Sequence, residues 1–189
     1  LTVSSPQVTA TLGGVITGTG GLTKSGDGIL LISNAANAYS GATNVSAGLL
    51  RLGSATAIPV ASSIVVSAGA VLDLNGSSLA SPLLSGAGLV TTSAASAVAI
   101  LVGGTSATDV TTTGNVSMGI ALADNYPANN ASKLGVTKAG LGTLTFTNTT
   151  NINYGDILVV AGKVTGSAAN TFSPNANVLL GNVTTAALT

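Results

Sequence analysis

Carboxylate chemistry in this 189-residue chain rests on five aspartates, Asp27, Asp73, Asp109, Asp124 and Asp156, because the sequence holds no Glu, His or Cys. The missing types are the common general bases, thiol nucleophiles and zinc ligands. Two aspartates flanking a glycosidic bond are enough for hydrolysis, so a polysaccharide-active enzyme stands as a remote alternative. Such enzymes hold sugar on aromatic platforms and clustered charge, yet aromatics are 3% of this chain and Trp is absent. Asp73, between Leu72 and Leu74, reads as an outward strand residue, and Asp27, in "GDG", as a turn residue. Tyr39, Tyr126 and Tyr154 read as single aromatics capping loops rather than as a binding face. No catalytic residue, cofactor or metal is expected.

The elements that would have to position any such group are all of one kind. Apolar segments are short, rich in Val, Ile, Leu and Thr, and divided by Gly, Asn and Ser, which spells β-strands and no amphipathic helix. Charged residues are 5% of the chain and sum to zero, against about 25% in an ordinary globular protein. That balance excludes an electrostatic nucleic-acid partner. The strongest apolar run, Ala97 to Val102, is far below the roughly 18 residues of a spanning helix, so membrane insertion by this chain is not expected. Leu1 opens directly in strand-like sequence without a basic and apolar leader, and reads as a mature or excised end.

"VSAGLL" at 45–50 returns as "VSAGAV" at 66–71 and as "VVAGKV" at 159–164. A period of 20 to 25 residues is the mark of a solenoid whose coils stack in register. "VSAG" then marks one corner on neighbouring coils, with Gly taking φ above zero. After that corner, Leu50-Arg51-Leu52 and Leu72-Asp73-Leu74 place leucines inside and charges outside, with Arg51 and Asp73 close enough to pair. "LSGAGLVT" at 84–91 extends the wall. About nine coils of roughly 20 residues, spaced about 4.8 Å, would make a rod roughly 40 to 45 Å long.

A longer duplication aligns residues 22–53 with 136–167 at a constant shift, in one β-solenoid domain spanning 1–189. Identical pairs include Lys24 and Lys138, Gly26 and Gly140, Asn34 and Asn148, Asn37 and Asn151, Gly41 and Gly155, and Gly48 and Gly162. Most are turn, corner or core types, which is what structural duplication retains. "SGDG" has the look of a calcium-loaded solenoid turn, but the second copy has Leu141 in place of Asp27, which removes a repeated calcium site.

The stretch "GGLTKSGDGILLISNAANAYSGATNVSAGLLRLGSA" closely resembles the autotransporter-associated β-strand repeat, also called the passenger-associated transport repeat. The resemblance covers Gly20 to about Gly76 and, more weakly, Val136 to Ser167. It implies a right-handed parallel β-helix in a secreted or surface-displayed bacterial protein.

Two functional readings follow. The first is an extracellular structural subunit that builds a surface or matrix filament by head-to-tail self-stacking, with further cell-surface or matrix contacts. Its sticky edges would be Leu1, Thr2 and Val3 at one end and Ala187, Leu188 and Thr189 at the other, where no charge or cap blunts a β edge. The second is a stalk segment of an adhesin passenger, with a loop such as Asn125 to Lys133 making the contact.

Overall fold

The computed structural model describes residues 1–81, 83–104, 106, 109, 112–123 and 133–181, and the backbone of 186–188. Among these residues no helix forms, so none is long and apolar enough to cross a membrane. All described strand pairings are parallel. Parallel neighbours about 20 residues apart in sequence require the chain to go once around between them, which builds a coil and not a hairpin.

Three walls result. The first stacks Leu22–Lys24, Thr43–Val45, Ile64–Val66 and Leu84–Gly86. Val116–Met118 lies against the last of these, and Thr143–Phe146, Gly162–Gly166 and Ala186–Leu188 continue from it. The second wall runs Thr9–Leu12, Ile29–Ile32, Leu49–Leu52, Val71–Asp73, Leu89–Thr91 and Ala121–Leu122. The third begins with Thr17–Gly18 and Ala38–Tyr39 and is resumed by Leu79–Ala80, Val98–Val102, Leu134–Lys138, Ile157–Val159 and Val178–Leu180.

Strand alternation sends every second side chain inward, and the stacked inward residues make the core. Leu30, Leu50, Leu72 and Val90 form one file and Ile32, Leu52 and Leu74 another, all with no measurable exposure. The "VSAG" corner falls where the repeat placed it: Val45 partners Val66, and Gly48 and Gly69 have φ of 65° and 78°. Leu49–Leu52 and Val71–Asp73 are parallel neighbours, and Leu84–Gly86 extends the first wall.

Two expectations are corrected. The solenoid has about seven turns rather than nine, a length of roughly 30–35 Å, because the coils are unequal. Val98 partners Leu134 and Val116 partners Leu144, steps of 36 and 28 residues, whereas Leu22 partners Thr43 and Val136 partners Ile157 at 21. Asp73, expected outside and exposed, is 1% exposed. It lies on the face opposite Leu72 and Leu74, but Arg51 and Ser93 on the two adjoining coils close over it.

The uneven coils also turn the duplication. Leu22–Lys24 lies on the first wall, whereas its copy at 136–138 lies on the third; Ile29–Ile32 lies on the second, whereas Thr143–Phe146 lies on the first. Between the two copies the chain completes a whole number of turns less one wall.

Candidate functional site

The polar groups that the duplication retains clamp one coil to the next. Lys24 is fully buried, and its ammonium donates to the carbonyls of Ser25 at 2.9 Å, Gly26 at 2.6 Å and Ala47, one coil on, at 3.1 Å. Lys138 repeats the cage with Ala139, Gly140 and Ala161. Three donors meet three carbonyls, so a buried charge is fully hydrogen-bonded. Burial pushes both ammonium groups below the ordinary lysine value, while the charges of Asp27 and Asp109 act the other way.

Asn37 spans three coils. Its Oδ1 accepts the Ile16 N–H at 2.8 Å, and its Nδ2 donates to the Ala57 carbonyl at 2.8 Å. Asn151 does the same between the Leu122 N–H and the Thr171 carbonyl. Asn34 and Asn148 each fold their own turn and reach one coil back, to the carbonyls of Gly13 and Gly119. The retained glycines serve the same stacking. A Cβ on Gly48 would collide with the Gly26 carbonyl, and one on Gly162 with the Gly140 carbonyl.

The tyrosine expected to cap a loop at position 39 is instead 2% exposed. Its hydroxyl pairs with Thr43 Oγ1 at 2.7 Å, which pairs in turn with Ser62 Oγ on the next coil. Burial raises the Tyr39 pKa against the opposing effect of those two hydroxyls. Tyr154 is half-buried at the edge of a surface cleft, and Tyr126 lies outside the described residues.

The structure gives each described aspartate its own surroundings. Asp27 is exposed in the turn between Leu22–Lys24 and Ile29–Ile32. Asp73 accepts from Arg51 Nε at 2.8 Å, from the N–H groups of Asn75 and Ser93, and from Ser93 Oγ at 2.7 Å. Asp109 holds Thr112, and Asp156 holds Asn177. Asp124 lies outside the described residues. No group of three metal-binding side chains occurs among the described residues.

Of the expected sticky edges, Leu1 and Val3 are already bound into the next coil. The Leu1 amino terminus donates to the Thr23 carbonyl and Val3 N–H to the Ser25 carbonyl, Thr2 bridges Ser25, and the Val3 side chain is buried. Ala187 and Leu188 partner Lys163 and Val164. Thr189, and the expected contact loop apart from Lys133, lie outside the described residues.

Sequence reasoning did not find the lysine cages or the asparagine clamps, although their signal was present in the pairs the duplication kept. These features define a parallel β-solenoid held by recurring polar clamps. Residues 22–52 match the family model of the passenger-associated-transport-repeat. The chain is similar to the adhesin BmaC autotransporter of Brucella suis biovar 1 (strain 1330), with 43% identity over 89 residues, 47% of this chain and 3% of the relative. The aligned part is thus a small fraction of that protein's length. No solved structure matches the chain.

Proposed function

We infer that the chain is a non-catalytic rod segment in the passenger of a bacterial surface adhesin, a spacer that carries contact-making regions away from the cell. The repeat is the observation that carries this reading. A family of passenger-associated repeats matches residues 22–52, and the second copy rebuilds the same lysine cage and asparagine clamp. Those groups join coil to coil, and among the described residues every buried side-chain nitrogen and oxygen has a hydrogen-bond partner, which suits stiffness. The name of the Brucella relative supports an extracellular place and an adhesive context.

An epitope inserted between Gly14 and Val15, an exposed corner with open space around Gly14, tests this in the full-length protein. Antibody labelling of intact cells, lost on protease shaving, is expected; labelling only after lysis would overturn the reading. Head-to-tail self-stacking into a filament is a second reading. It is favoured by Thr9–Leu12 and Val178–Leu180, each hydrogen-bonded to a neighbouring strand on one side only among the described residues. Either a further coil of the same protein or a second copy would pair such an edge. Sedimentation of the purified chain separates them, since mass that grows with concentration requires the second copy.

A further inference from the structure

One corner of the third wall departs from its duplicate in a way that stacking does not explain. The two copies are equivalent coil for coil here. Thr43 N–H donates to the Ser63 carbonyl as Ile157 N–H does to Asn177, and Leu22 N–H donates to Ala42 as Val136 N–H does to Asp156. Both copies keep a pair of glycines, Gly21 with Gly41 and Gly135 with Gly155, packed too closely for any Cβ. Around that shared floor the side chains differ at every other position. Thr19, Ser40, Ala42, Ala61 and Ser63 in the first copy become Lys133, Tyr154, Asp156, Asn175 and Asn177 in the second.

Those five replacements line one open cleft of about 580 Å³, within the range of small-molecule sites. Lys133, Asp156, Asn175 and Asn177 are exposed and Tyr154 is half-buried. In a chain with five basic and five acidic residues, one of each meets a tyrosine here. Asp156 is held in place because its Oδ1 accepts both the N–H and the Nδ2 of Asn177, at 3.2 and 3.0 Å.

We propose that this cleft binds a neutral hexose-type sugar residue. The ammonium and the carboxylate cancel, so neither an anion nor a cation is favoured overall. Sugar hydroxyls each donate and accept, and a carboxylate, two carboxamides and an ammonium around the glycine pair offer both roles in one cleft. The Tyr154 ring supplies the apolar face that the C–H side of a sugar needs. An extended peptide fits less well, because the main-chain N–H groups of Gly155, Val136 and Ile157 are spent on neighbouring coils. The proposal does not depend on the rod reading.

The test is an amide chemical-shift titration of the full chain with methyl glycosides of glucose, galactose, mannose and N-acetylglucosamine at millimolar concentration. Tyr154→Ser and Asp156→Ala restore the residues of the first copy, which tolerates them in an equivalent backbone, so both variants are expected to fold, and unchanged amide shifts away from the cleft check it. At least one glycoside is expected to shift the Gly155 and Asn177 amides saturably, with each variant weakening that binding about tenfold, the loss of one good contact. Absence of a shift with every glycoside, or shifts that persist undiminished in both variants, would overturn the proposal.

Discussion

Four donors converge on the Asp73 carboxylate, and only one of them belongs to Arg51. The other three come from Asn75 and Ser93, so the aspartate ties three successive coils together. Arg51 keeps a third of its side chain in solvent, which weakens its share of the pair. Arg51→Ala should therefore lower stability by about 1 kcal/mol, whereas Asp73→Ala, which leaves all four donors without their acceptor, should cost about 2–4 kcal/mol. Urea unfolding of both variants checks this, and equal losses would show that the arginine alone carries the contact. The pairing itself was legible in sequence, since the repeat aligns residue 51 with residue 73. The burial of Asp73 was not, because Ser93 comes from a corner that the repeat pattern does not cover. The same holds for Lys24 and Lys138: a lysine reads as solvent-exposed by type, and only its retention in both copies hinted that carbonyls enclose it.

At the level of the corner, backbone geometry decides which glycines matter. Gly48 has a φ of 65° and sits against the Gly26 carbonyl, while Gly20 has open space around it and no positive φ. Gly48→Ala meets both conformational strain and a backbone collision, so a loss of about 2–4 kcal/mol is expected. Gly20→Ala should be neutral or slightly stabilising, because it restricts the unfolded chain at no native cost. Thermal unfolding of the two variants distinguishes them, and a Gly48→Ala variant as stable as the parent would contradict the tight-corner account. These corners were readable from "VSAG" because a period near 21 residues repeats the turn chemistry along with the strand. Wall identity was not readable. A constant shift between two copies says that they share a local fold and is silent about which way each one faces.

On the scale of the rod, stability adds up coil by coil, since most coils touch only their neighbours. Removing one whole coil should then leave a shorter rod, while removing half of one should not. Excision of residues 22–42 joins Gly21 to Thr43 and lets Thr43–Val45 occupy the place of Leu22–Lys24. The product is expected to fold cooperatively, keep its β circular-dichroism signal and shorten by about 4.8 Å along the axis in small-angle scattering. Excision of 43–53 breaks the register and should abolish the cooperative melt; equal behaviour of both deletions would argue against independent coils. The count of coils escaped sequence reasoning because it divided the chain evenly, whereas the steps from Leu89 to Ala121, from Val98 to Leu134 and from Val116 to Leu144 are longer than the other described ones.

Those long steps give the molecule a compass. Each strand of the second copy lies one wall away from its upstream counterpart, although the two modules fold alike. A length of chain that merely fills a turn leaves all later bearings unchanged; a length that shifts the start of the next module by one wall re-aims everything beyond it. The cleft of Lys133, Tyr154 and Asp156 is such a re-aimed corner, standing on a different azimuth from the one its duplicate would have occupied. Duplication supplies the part, and the length of the interval between copies sets the direction in which that part looks.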